Sequence, residues 1–200
     1  MFAKRTLAAA ATALLATFSA QAGLVNGSFE TDPQAPGSWA IYSALAGWQG
    51  GSSGIELRDS VAGNAQDGSN YVELDTTRNS SMWQTVLTDA GSNYEVSLWY
   101  SPRTGVASSS NGIEVWWDNT QLGTLTGSGA NTSGNVWRQY SFNVTGTGSN
   151  TLRFVATGTS DALGGSLDNV RLSNVPEPAS LALVLGALAA GGLVLRRRRA

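Results

Sequence analysis

Between residues 23 and 175 apolar side chains recur at every second position, and no stretch shows the 3.6-residue recurrence of an amphipathic helix. The run from Tyr94 to Tyr100 puts Tyr94, Val96, Leu98 and Tyr100 on one face and Glu95, Ser97 and Trp99 on the other. The same alternation spans Met82 to Val86, Ile113 to Trp117, Tyr140 to Val144 and Leu152 to Ala156, each bounded by Gly, Ser, Asn or Asp. Short strands at this spacing predict an all-β chain, a sandwich or jelly roll with one wet face per strand. Turns are predicted at Asp67-Gly68, Ala90 to Asn93 and Asn111-Gly112, where Gly or Asn tolerates positive φ. The Gly-, Ser- and Thr-rich stretches 105–111, 124–134 and 145–150 read as loops within one domain, because strand patterns resume on both sides of each. No internal repeat is visible.

Composition narrows the chemistry. The 200 residues include no Cys and no His. Disulfides, thiolate or imidazole metal sites, Cys nucleophiles and Ser-His-Asp catalysis are therefore excluded. Residues 23 to 175 hold thirteen acids, six Arg and no Lys, a formal charge of −7. Such a surface disfavours nucleic acid, which is bound through basic side chains, and stays compatible with divalent cations and neutral polymers.

The two ends carry addresses. Lys4 and Arg5, the apolar stretch Thr6 to Phe18 and the small residues Ala20-Gln21-Ala22 read as a signal peptide over residues 1–22, handed to the Sec translocon and cleaved between Ala22 and Gly23. Its apolar core is about half the roughly 20 residues a bilayer span needs. At the other end an uncharged run of 17 residues, Ala179 to Leu195, precedes Arg196, Arg197, Arg198 and Arg199. That pattern reads as a transmembrane helix with its Arg cluster held in the cytoplasm, leaving the domain outside. Pro176-Glu177-Pro178 stands just before it, an extended stretch that can form neither helix nor ladder bonds. Pro-Glu-Pro, an apolar helix and a terminal Arg cluster, in that order, resemble the PEP-CTERM sorting signal. The resemblance covers residues 175–200 and implies processing by an exosortase of a Gram-negative bacterium. It implies transit through the inner membrane and delivery to the cell surface or medium, usually where extracellular polysaccharide is made. The alternative is a plain C-terminal anchor. The domain proper is then residues 23–174.

A second resemblance spans most of that domain. Leu24-Val25-Asn26-Gly27-Ser28-Phe29-Glu30, Gly47-Trp48, the run Asp67 to Leu74, Gln84-Thr85-Val86, Tyr94 to Tyr100 and the closing Leu167 to Leu172 resemble the galactose-binding-like jelly roll, shared by carbohydrate-binding modules and adhesion domains. The resemblance implies that the first and last strands lie together. It also implies that Glu30 and Asp168 help to hold a structural calcium, with the Asp67-Gly68-Ser69 turn as a third contributor; oxygen ligands of this kind suit that ion. The alternative is that these acids are exposed turn residues, or that one pairs with Arg171.

All seven Trp lie between Trp39 and Trp137. Alternation turns Trp99 and Trp116 outward, with Trp83 likewise out of phase with Met82, Gln84 and Val86. If their strands are neighbours, Trp99 and Trp116 share an exposed face flanked by Arg103 and Glu114, a stacking platform for a sugar; the competing reading makes them packing residues. Trp48 and Trp137, each beside a turn, read as core or loop staples, and Tyr71 as core. The acids Glu73 with Asp75, and Glu114 with Asp118, read as wet-face pairs, and none is marked as a catalytic carboxylate pair. The sequence thus predicts a non-catalytic surface protein that binds extracellular polysaccharide. A matrix or adhesion protein that binds proteins or itself is the alternative, with a glycoside hydrolase behind both.

Overall fold

The computed structural model describes residues 23–175, so the leader and the sorting segment lie outside the described residues. Twelve strands build the domain: β1 (Trp39–Tyr42), β2 (Ala44–Leu45), β3 (Trp48–Gly50), β4 (Ile55–Asp59), β5 (Asn70–Glu73), β6 (Ser81–Leu87), β7 (Asn93–Ser101), β8 (Gly112–Trp117), β9 (Thr120–Leu125), β10 (Arg138–Thr145), β11 (Ser149–Thr157) and β12 (Ser166–Asn174). One sheet runs β1-β4-β5-β12-β7-β10 and the other β2-β3-β6-β11-β8-β9. From β5 onward the chain passes repeatedly from one sheet to the other, which makes the sandwich a jelly roll. Among the described residues no helix is long and apolar enough to cross a membrane.

The inward sets follow the alternation. Tyr94, Val96, Leu98 and Tyr100 of β7 meet Met82 and Val86 of β6, Ile113, Val115 and Trp117 of β8 and Leu152 and Phe154 of β11 in one buried core. Trp48 sits at one end of that core, 5.9 Å from the rings of both Phe29 and Phe154, and its indole donates to Asn26 O. A buried Trp needs such an acceptor.

The opening segment 24–32 is not a strand. It is fastened to both sheets nonetheless: Gln84 of β6 accepts from Val25 N and donates to Val25 O, and Gly27 O accepts from Val170 N of β12. The chain's beginning and last strand therefore do lie together. At the predicted Asn111-Gly112 turn, Ser108–Ser110 form a single 3-10 turn and Gly112 already opens β8. Asn111 is buried there; its side chain accepts from Arg103 N and donates to Val106 O and Ala107 O, so it fastens a loop instead of bending a hairpin.

The predicted wet face of β5 is dry. Glu73 and Asp75 are fully buried, because loops from other parts of the chain lie over the outer face of the first sheet. Trp137 packs edge-on against Tyr71 at 5.7 Å, and both Trp137 Nε1 and Asn135 Nδ2 donate to Asn64 O, tying two of those loops together.

Replacing Trp48 with Ala should lower unfolding stability by about 3–5 kcal/mol, the cost of emptying a large buried site. Leu87→Ala, at a side chain 73% exposed, should change it by less than about 0.5 kcal/mol. Urea denaturation followed by Trp fluorescence measures both.

Candidate functional site

β7 and β8 belong to different sheets, so Trp99 and Trp116 lie on opposite outer faces of the sandwich. This corrects the expectation of one shared platform: alternation gave each side chain its outward direction, and the chain changes sheet between the two strands. Trp99 stands across from Asp168 on one side and Gln139 on the other. Arg103 is likewise removed from Trp116. It lies over the first sheet, where its Nη1 is 2.7 Å from Glu73 Oε2. Glu114 does flank Trp116, accepting its indole N–H at 2.9 Å.

The register of the second sheet assembles a different row. Gln49 of β3 pairs with Trp83 of β6, Trp83 with Arg153 of β11, Arg153 with Trp116 of β8, and Trp116 with Gln121 of β9. Five side chains thus cross the outer face of five adjacent strands, and Trp83 and Trp116, two strands apart, are separated by about 10 Å. Arg153 lies over the Trp116 ring, its guanidinium carbon 5.0 Å from the centroid. An Arg stacked on an indole is held in place by the ring's electrons at little cost in hydration. Beside the row is an open groove of about 620 Å³ lined by Ser81, Trp83, Asp118, Asn119, Thr151 and Arg153. The sequence pointed to Trp83 through its phase. It gave no reason to single out Arg153 or Gln49, because strand order is needed to place them beside the Trp residues. A smaller cavity of about 280 Å³ opens at one end of the sandwich among Tyr100, Pro102, Trp137, Arg138 and Tyr140.

Glu30, Asp67 and Asp168 meet at one turn. Asp168 Oδ2 accepts from Gln66 N and Asp67 N, and its Oδ1 from Asn169 N. Glu30 Oε1 accepts from Ser69 N and Asn70 N across the same turn. Gly68 has φ +71° and presses so closely on the Glu30 carboxylate that a Cβ would fall 2.4 Å from it, so only Gly serves here. Asp67 accepts from Ser28 Oγ, and Arg171 approaches Asp67, at 4.0 Å, and not the other two acids. In this arrangement Glu30 and Asp168 clasp the 66–70 turn, of which Asp67 is a part.

Under the loops of the first sheet lies a buried ionic cluster. Arg58 Nη2 is 2.5 Å from Glu56 Oε1 and 3.2 Å from Glu73 Oε2, which Arg103 also contacts. Burial pushes Glu73 up to about 7 against the pull of both Arg and of the Gly164 amide. It raises Asp168 to about 7 as well, against its three backbone donors.

No family model matches the chain. A stretch of 149 residues, 74% of this chain, is 32% identical to part of the multifunctional-autoprocessing repeats-in-toxin protein of Vibrio cholerae; the chain spans about 3% of that relative's length. Among solved structures, the K1 cleaved adhesin domain of Lys-gingipain from Porphyromonas gingivalis superposes with a TM-score of 0.53 at 13% identity, covering 70% of this chain and 98% of that one. This likeness shows the sandwich fold. A family 35 carbohydrate-binding module from Clostridium thermocellum superposes with a TM-score of 0.46 at 17% identity, over 68% of this chain and 97% of that one.

Two measurements check these sites. Glu73 and Asp168 keep protons in the folded chain up to about pH 7 that the unfolded chain releases near pH 4. Stability should therefore fall as pH rises through that window, by up to about 1.4 kcal/mol per pH unit for each group. The urea midpoint should be higher at pH 5 than at pH 8, and Glu73→Gln should reduce the difference. For the 66–70 turn, a calcium ion held by Glu30, Asp67 and Asp168 would make EDTA lower the melting temperature; a melting temperature that EDTA leaves unchanged would leave these acids as partners of backbone amides and Ser28 alone.

Proposed function

We propose that this chain is a non-catalytic surface protein that binds extracellular polysaccharide on the outer face of its second sheet. The observation that carries this reading is the row Gln49, Trp83, Arg153, Trp116, Gln121 on adjacent strands. A polysaccharide offers apolar faces of its sugar rings, rimmed by hydroxyls. Indoles complement the faces and the amides and guanidinium complement the rim. The separation of the two indoles, about 10 Å from strand spacing, is close to the length of a disaccharide, so one chain can lie along the row and touch both. The face is rigid because each strand that carries it is fixed from behind by the core, which limits the ordering cost of binding.

Export and sorting belong to the same proposal. A leader over residues 1–22 would send the domain through the Sec translocon. Pro176-Glu177-Pro178 with its apolar run and Arg cluster would hold the chain in the inner membrane until an exosortase cut it. The last described residue, Val175, is still hydrogen-bonded to Asn93 O, so the Pro-Glu-Pro segment follows the folded domain without a spacer. A cut there would release the sandwich essentially whole, to the cell surface or the medium.

Affinity electrophoresis against a panel of neutral and acidic polysaccharides tests the binding face. Trp83→Ala and Trp116→Ala should each weaken retention several-fold while lowering stability by less than about 1.5 kcal/mol, and Trp99→Ala, on the opposite face, should leave retention unchanged. Loss of retention with Trp99→Ala alone would move the site to the first sheet. For sorting, mass spectrometry of the protein exported by a host with an exosortase should find a C-terminus near Pro176 to Pro178; an intact Ala200 terminus would refute processing.

A further inference from the structure

The groove beside the row is richer in unused donors than in unused acceptors. The Arg153 side chain takes part in no ion pair and donates no hydrogen bond among the described residues; its guanidinium lies over the Trp116 ring. Every Arg ion pair formed in the described part of the domain involves Arg58 or Arg171, on strands of the first sheet, or Arg103, in a loop over it. The acids near Arg153 are already engaged. Asp118 Oδ1 accepts from Thr151 N at 2.7 Å and its Oδ2 from Asn150 Nδ2 at 2.6 Å, while Glu114 accepts from the Trp116 indole. The Asn119 amide and the hydroxyls of Ser81 and Thr151 line the same groove.

A half-buried guanidinium with five N–H donors, held over an indole and lacking a carboxylate, is matched by a ligand that brings one. Resting on the polysaccharide-binding reading above, we propose that the preferred ligand is an acidic glycan, a polymer of uronic acid units, whose sugar carboxylate is held by Arg153 between Trp83 and Trp116. The indoles supply contact with the rings of the flanking units. Arg153 supplies the charge recognition that a neutral polymer would leave unused. The domain's overall negative charge opposes the approach of a polyanion, so selectivity rests on this one short-range contact and not on long-range attraction.

The test compares polygalacturonate with the same polymer after reduction of its carboxyl groups, using the exported protein in affinity electrophoresis. The native protein should bind polygalacturonate about tenfold or more tightly than the reduced polymer, as a charge-assisted bidentate contact implies. Arg153→Gln should erase that preference, weakening binding to polygalacturonate about tenfold more than binding to the reduced polymer; Arg153→Lys should keep part of it. Equal binding of both polymers by the native protein, weakened for both by Trp83→Ala, would overturn the acidic preference and leave the binding face standing. Retention on neither of these polymers nor on alginate, by a protein that binds a neutral glycan through Trp83, would do the same. Absence of retention on every polysaccharide would overturn both.

Discussion

Loops in this domain are held by carboxylates that accept hydrogen bonds from backbone amides. Asp168 and Glu30 clasp the 66–70 turn, Asp75 takes the amides of Asp161 and Leu163, Glu73 that of Gly164, Asp32 that of Ala46 and Asp118 that of Thr151. A chain without Cys cannot staple its connections, and the 21 Gly between residues 23 and 175, most of them in connections, make these costly to order. Such hydrogen bonds contribute about 0.5–1.5 kcal/mol each, so two or three of them offset the ordering of a residue or two. Acids that would otherwise read as solvating charges are thereby drawn into the interior, which accounts for the raised pKa of Glu73 and Asp168.

From that constraint follows an asymmetry between the two outer faces. Anchored loops lie over the first sheet and seal Glu56, Arg58, Tyr71 and Glu73 beneath Trp137 and its neighbours. Sealing a charged face is tolerable only because the charges arrive in opposite-signed partners: two Glu with two Arg. Over the second sheet the outward side chains of β6, β8 and β11 remain half-buried, and the aromatic row stays accessible. The outer face of one sheet is closed over by loops, and that of the other is left open.

The sequence pattern identified the strands whose two faces differ and failed where they do not. β6, β7, β8, β10 and β11 were legible because apolar residues alternate with Ser, Thr, Asn or Trp. β4 was not read, and its alternation of Ile55 and Leu57 with Glu56 and Arg58 would have marked it as a wet strand, yet all four are buried. Glu73 and Asp75 were misread for the same reason. Burial by a loop that arrives from residues far along the chain leaves no local mark. Sheet membership was equally invisible: period two assigns a side chain to a face of its own strand and says nothing about which strand comes next, and so Trp116 was paired with Trp99 when its companions are Arg153 and Trp83.

The proposed binding row therefore depends on pairing register more than on any local motif, and register here is fixed from the opposite side. Met82, Gln84 and Val86 of β6, Leu152 and Phe154 of β11, and Ile113, Val115 and Trp117 of β8 are all buried. Slipping any of these strands by one residue would exchange that apolar set for Trp83, Arg153 or Trp116, a penalty of many kcal/mol summed over the strand. The separation of the two indoles is thus set by the core, while their identities are not. Outward positions on such strands can change with little effect on folding, so the same sandwich can present a different row to a different polymer.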